Sequence, residues 1–240
     1  MNGSTLDVIL FVVLPYVAMA LFFLVSIQRY SGRKFTYSSI SSQLLENKHH
    51  FWGLVPFHYG IIIVLTGHVV AFLFPRELLA FNQVPVRLYI LETSALTFGL
   101  LAAIGLGSMM LRRTVESKIR AVTTPVDWAV LILLMVQIVA GLGIALFYPW
   151  GSSWFATSMT PYLWSLVKLQ PDITFVSGLS FWVKLHIVNA FLLIALFPFT
   201  RLVHILVVPN PYLWRKPQVV RWYKRGNAIS TGTGLRKKGA

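Results

Sequence analysis

The sequence predicts an all-α integral membrane protein: a bundle of five transmembrane helices with the N-terminus outside and the C-terminus cytoplasmic. Three observations carry this: a charge-poor composition, five apolar stretches of membrane-spanning length, and a one-sided distribution of Lys and Arg. The chain is 56% hydrophobic and 12% charged over 240 residues. That is about half of the roughly 25% charge with which a soluble domain covers its surface. There is no cysteine, which removes disulfides, thiolate nucleophiles, iron–sulfur clusters, Cys-ligated zinc and covalently attached haem together. Any bound metal must take His, carboxylate or Met ligands.

A helix crossing about 30 Å of hydrocarbon needs about 20 apolar residues, because its amides find no water there. The first stretch, Leu6 to Ile27, follows a segment, Met1 to Asp7, without Lys or Arg, so it reads as a retained helix rather than a signal peptide. The second runs from Phe51 to Leu73, the third from Leu88 to Leu111, the fourth from Ala129 to Phe147 and the fifth from Phe181 to Val208. Tyr30, Trp52, Tyr89, Arg112, Trp128, Tyr148 and Trp182 stand at their ends, where amphipathic and cationic side chains anchor a span to the interface. The connection from Tyr148 to Ser180 is the longest, and its Trp150, Trp154, Tyr162, Leu163 and Trp164 predict a segment lying in the interface. Residues 1–225 thus form one membrane domain, and 226–240, rich in Gly, Ser, Thr and Lys, a disordered basic tail.

The net charge of +14 belongs mostly to one side of the bundle. Arg29, Arg33, Lys34 and Lys48 follow the first span, Arg112, Arg113, Lys118 and Arg120 follow the third, and eight bases from Arg215 to Lys238 follow the fifth. Against these sixteen, the opposite side has three: Arg76, Arg87 and Lys168. The positive-inside rule places the sixteen in the cytoplasm. The charge therefore describes membrane orientation and a contact with lipid, not a nucleic-acid surface.

Four of the six histidines lie within spans: His58 and His68 on the second, His186 and His204 on the fifth. Ionisable side chains at membrane depth are costly and mark functional sites, so four on two helices call for a common cause. Because the two helices run in opposite directions, His68 meets His186 at the outer end and His58 meets His204 at the inner end. Two neutral imidazoles facing across an apolar gap suit the iron of a b-type haem. A zinc or copper site needs a third or fourth ligand, and none is evident. The spacings are unequal: ten residues are about 15 Å of helix and eighteen are about 27 Å. The haems must tilt differently or a helix must bend, and Pro198 lies where it would kink the fifth span.

Other residues can be placed around these pairs. Gly67, Gly99, Gly105, Gly107, Gly141 and Gly143 leave room either for a porphyrin edge or for close helix packing. Lys184 and Arg201, each near a ligand and a membrane face, suit haem propionates or simple snorkelling, and Arg112 does so on the inner side beside Arg113 and Arg120. Gln137 is an intramembrane amide that needs a partner. His49 and His50 fall in the inner loop with no ligand role.

Together these residues resemble the cytochrome b (gamma) subunit of the membrane-bound respiratory nitrate reductase. The likeness runs from Pro15 to about Arg221 and includes Ser41-Ser42-Gln43-Leu44-Leu45, Phe57-His58, Gly67-His68, Arg112-Arg113, Arg120-Ala121, Thr123-Thr124, Lys184-Leu185-His186, the run Phe197 to His204, and Pro209. The unequal histidine spacing is its specific part. A cytochrome b of the bc-complex type spaces its ligands similarly on both helices.

The resemblance implies a multi-pass subunit of the cytoplasmic membrane of a prokaryote, carrying two b-type haems. Quinol is oxidised near the outer haem of His68 and His186. Electrons pass to the inner haem of His58 and His204, then to an iron–sulfur subunit and a molybdenum-containing catalytic subunit on the cytoplasmic side. Gly67 carries over as a quinol-site residue. The family's quinol-site lysine does not: the position counted from Pro85 is Tyr89, and Arg87 or Glu92 is the candidate to contact the quinol.

A related cytochrome b feeding a heterodisulfide or sulfite reductase is the nearest alternative, since nothing in the chain reads nitrate. A proton-coupled transporter would need acids or broken helices at the midplane. A purely structural anchor would leave four buried imidazoles unexplained.

Overall fold

The computed structural model describes residues 5–32 and 50–207. The loop bearing Arg33, Lys34, Ser41 to Leu45, Lys48 and His49, and everything from Val208 onward, including the eight-base tail and the boundary at residue 226, lie outside the described residues. Among those described there is no strand. Among the described residues five helical spans are long and apolar enough to cross a membrane, the fifth extending to Phe199. We call them α1 (Thr5–Gly32), α2 (His50–Leu73), α3 (Pro85–Val115), α4 (Pro125–Phe147) and α5 (Phe181–Leu196).

The spans begin where the sequence supplies caps. α4 starts four residues before the expected Ala129, because Thr124 and Asp127 form a reciprocal capping box with Pro125 at the first helical position. α3 starts at Pro85 for the same stereochemical reason. A short helix not foreseen from the sequence, Pro75–Asn82, links α2 to α3.

Extensive packing runs from α1 to α5, α5 to α4, α4 to α3 and α3 to α2. The α2–α3 seam is the tightest. A Cβ on Gly60 would stand 2.5 Å from the Phe98 carbonyl and 2.7 Å from the Ala102 nitrogen, and one on Gly105 would meet the Phe57 nitrogen and lie 2.7 Å from the Gly53 carbonyl. Both glycines let two backbones touch. α4 and α3 stand between α5 and α2 in this packing order, and histidine side chains of the two histidine-bearing segments meet across it.

The fifth span departs from expectation. It is not one helix to Val208: the α-helix ends at Leu196, a 3-10 turn covers Phe197–Phe199, Thr200 is extended (φ −120°, ψ 176°), and a second 3-10 turn, Arg201–Val203, leads into His204–Val207. Pro198 cannot continue the helical hydrogen bonds. The estimate of 27 Å on one face, which assumes a continuous helix, therefore does not describe His186 and His204.

The connection 148–180 also differs from a flat interfacial segment. It folds into Gly151–Trp154, a wide π-turn at Phe155–Met159, and the helices Thr160–Val167 and Thr174–Ser177, and it inserts into the end of the bundle. Tyr162 is fully buried in a core with Phe11, Met159, Leu166, Val176 and Ile187. Proline explains the attachment points. Pro15 has no N–H for the Phe11 carbonyl, which accepts from the Tyr162 hydroxyl at 2.7 Å instead. Pro75 likewise frees the Ala71 carbonyl, which accepts from the Thr160 hydroxyl at 3.2 Å. Burial, with Tyr16 close by, pushes the Tyr162 phenol well above its ordinary pKa, so it remains a donor.

Candidate histidine-pair site

The structure brings the four span histidines together as two couples. The rings of His68 and His186 have centroids 6.4 Å apart and planes 30° from parallel. Those of His58 and His204 are 6.1 Å apart at 63°. His58 and His68 both project from α2, His186 from α5, and His204 from the segment beyond the break. About 15 Å of helix rise separates the couples on α2.

Their hydrogen bonds assign the protons. Nδ1 of His58 donates to the Leu54 carbonyl at 2.8 Å, Nδ1 of His68 to the Val64 carbonyl at 2.8 Å, and Nδ1 of His204 to the Arg201 carbonyl at 2.7 Å. A carbonyl can only accept, so each ring carries its hydrogen on Nδ1 and leaves a lone pair on Nε2. His186 reaches the same tautomer differently. Its Nε2 lies 3.1 Å from the amide nitrogen of Gln137, and its buried Nδ1 has no hydrogen-bond partner. Gly141, one turn along α4 from Gln137, lets this ring approach: a Cβ there would stand 3.0 Å from the imidazole Cε1.

The break after α5 sets the place of His204. The Thr200 hydroxyl accepts from the Leu202 amide at 3.2 Å and donates to the Phe197 carbonyl at 3.0 Å. Arg29, at the end of α1, donates to the Pro198 carbonyl. Arg201 pairs with Asp127 at 2.9 Å and donates to the Val122 carbonyl at 3.2 Å, tying the segment to the start of α4. Asp127→Ala removes both that pair and the capping box. We expect a loss of about 1–2 kcal/mol, mostly from the cap because Arg201 is partly exposed, measured as a lower melting temperature in detergent.

The remaining candidates have protein partners. Lys184 pairs with Asp7 at 3.2 Å and lies 5.8 Å over the Phe11 ring. Arg87 sits 5.7 Å over the Phe81 ring. Glu92 accepts from both the amide and the hydroxyl of Ser152, each at 3.1 Å, and Asn82 donates to the hydroxyls of Ser152 and Ser153 at 3.0 and 2.9 Å. This pins the long connection to α3. Arg112 lies in the last turn of α3. Of the glycines, Gly60, Gly105 and, against Leu142, Gly99 serve packing, whereas Gly67 and Gly143 face open space. Sequence reading passed over Gly60 and Asn189. Regular glycine spacing hints at the first, but only contact reveals the second.

The chain is similar to known proteins over most of its length. The sequence model of the family described as nitrate reductase gamma subunit matches residues 7–223. The chain belongs to this family. It is 32% identical over 217 residues to the nitrate reductase gamma chain of Bacillus subtilis (strain 168), covering 89% of this chain and 97% of that one. It is 33% identical over 228 residues to the respiratory nitrate reductase 1 gamma chain of Escherichia coli (strain K12), and 30% identical over 221 residues to the respiratory nitrate reductase 2 gamma chain of the same strain. In both of these, 90% of this chain and 97% of the relative are covered. This gamma-family chain is thus a multi-pass protein of a prokaryotic cytoplasmic membrane and a membrane subunit of a nitrate reductase complex.

Proposed function

We propose that this subunit holds two b-type haems, one between His68 and His186 and one between His58 and His204, and passes electrons from quinol to the other subunits of the complex. The observation that carries this reading is the pairing. The ring separations of 6.4 and 6.1 Å suit two imidazoles sharing one metal, each bonded at about 2 Å. The hydrogen bonds support it at three rings: Nδ1 of His58, His68 and His204 each donates to a backbone carbonyl and leaves Nε2 for a metal, whereas at His186 the Gln137 amide must turn away from Nε2 before that nitrogen can bind iron. Among the described residues no three His, Cys, Asp or Glu side chains come together, so a multi-ligand zinc or copper centre has less support than a two-ligand haem site.

Haem bound in these couples supplies one-electron transfer across the apolar interior. The chain's own residues orient and enclose it. Backbone carbonyls fix three ligand rings and Gly141 admits the fourth, while Gly67 and Gly143 leave space beside the helices. Arg112 is a propionate contact in this reading. Lys184 and Arg201 must exchange Asp7 and Asp127 to act as such.

Quinol gives up two electrons and two protons at the outer end, under the connection 148–180. Gly67 and Arg87 flank its head group in this reading. Glu92, held by Ser152, shapes the site's roof and is less suited to take the proton. The N-terminus lies outside. The basic loops and C-terminal tail face the cytoplasm, where an iron–sulfur subunit and then a molybdenum catalytic subunit receive the electrons and reduce nitrate.

Haem extraction and a reduced-minus-oxidised spectrum test the core of this. Two protohaems per chain with bis-imidazole bands are expected, and a folded but colourless protein overturns the reading. Co-purification with a molybdoenzyme and a quinol-to-nitrate assay test the partners and substrate.

A further inference from the structure

His204 differs from the other span histidines in what carries it. His58 and His68 bond to the carbonyls of Leu54 and Val64, which belong to the same continuous helix α2, and His186 projects from α5. The carbonyl that fixes His204, 2.7 Å from its Nδ1, is that of Arg201. Arg201 opens a three-residue 3-10 turn that the extended Thr200 separates from α5. A turn so short has too few bonds of its own to keep a direction, so contacts from outside must hold it.

Asp127 supplies such a contact by dividing its carboxylate. Oδ2 accepts from the Thr124 amide at 2.9 Å and from the Thr124 hydroxyl at 3.0 Å, which caps α4. Oδ1 faces Nε of Arg201 at 2.9 Å, and the Asp127 side chain is only 12% exposed. The same guanidinium donates to the Val122 carbonyl at 3.2 Å, so one planar group engages two acceptors on and before α4. Arg201 thus has its side chain at the start of α4 and its carbonyl on His204. The acceptor of a ligand imidazole's second N–H sets the orientation of the ring, and here that acceptor is anchored from another helix.

We propose that Asp127, acting through Arg201, is a positioning residue that keeps Nε2 of His204 on the inner haem iron, and that Arg201 stays with Asp127 instead of turning to a haem propionate. This rests on the haem reading of the His58–His204 couple. Its consequence is local: the firmness of the inner histidine bond depends on a carboxylate at the start of α4, and that of the outer couple does not.

Carbon monoxide competes with histidine for reduced haem iron and so reports how firmly His204 is held. Titration of the chemically reduced, membrane-bound complex with carbon monoxide, followed in each b-haem absorption band, tests the proposal. Asp127→Asn can keep its oxygen on Thr124 and the cap, but turns an NH2 group toward Arg201. The inner band, identified as the one lost in His204→Ala, should then bind carbon monoxide on the order of tenfold more tightly, the low end of what an outer partner of a ligand imidazole contributes. The other band should keep the parent behaviour. Arg201→Met should act in the same way. Thr124→Val weakens the cap and leaves Oδ1 of Asp127 to Arg201, so it should lower the melting temperature without changing carbon monoxide affinity. Loss of the inner haem alone from Asp127→Asn is the limiting form of the expected result. A two-haem Asp127→Asn protein with the parent affinity overturns the inference, and an effect of Arg201→Met without one of Asp127→Asn does so by giving Arg201 to the propionate. Equal tightening at both haems, or an inner effect of Thr124→Val as large as that of Asp127→Asn, overturns it in favour of general loosening or of the cap. If Asp127→Asn does not fold, an unchanged inner band in Arg201→Met overturns it. Absence of haem from the unmodified complex refutes instead the reading beneath it.

Discussion

Replacing His186 by Ala removes one of two haem signals, and replacing His204 by Ala removes the other. The expected haem content falls from two per chain to one in each variant, and the surviving absorption band differs between them. The reason is geometric. His186 is coupled to His68 at 6.4 Å and His204 to His58 at 6.1 Å, and the two α2 partners are about 15 Å apart along the helix axis. One lost imidazole therefore leaves the other couple intact. Loss of the same band in both variants refutes the pairing.

Gly105→Ala should cost the protein both haems at once. One methyl group is enough, because it collides with backbone atoms of Phe57 and Gly53 rather than with a side chain that can move aside. The helices must separate, at a cost of about 1–3 kcal/mol or more. α2 carries one ligand of each couple, so its displacement spoils both. Gly178→Ala, in the connection 148–180, is the control: a Cβ there meets nothing within 4 Å, and parent stability is expected. Thermal unfolding and haem content measured together decide it. A Gly105→Ala protein that keeps two haems and the parent melting temperature shows that the seam yields more easily than its geometry implies.

Much of the architecture was legible in the residues because a membrane imposes one-dimensional rules. Span length, aromatic and cationic anchors, and local caps such as Thr124 with Asp127 are written in consecutive positions. The four histidines were legible for the same reason, since an imidazole inside an apolar run is conspicuous. Their partners were less so. Lys184 and Arg201 read as partners of haem propionates or as snorkelling cations, whereas Asp7 and Asp127, distant in sequence, face them. Glu92 read as a candidate quinol contact, and the fold sets it against Ser152. A pairwise contact between residues far apart in the chain leaves no mark on either one alone.

The sequence by itself determined that this is a five-span membrane bundle with two histidine-bearing helices. Hydrophobic length and charge placement act residue by residue and need no knowledge of neighbours. The tertiary structure decided how those helices deliver their ligands. It ended the fifth helix at Leu196 and re-aimed His204 through a break held by Thr200, Arg29 and Asp127. It folded the connection 148–180 into the bundle so that hydroxyls replace amides lost at Pro15 and Pro75. It also turned Gln137 toward His186 through Asn189. Each outcome follows from one requirement: a polar group inside an apolar medium must find its partner wherever the fold places one.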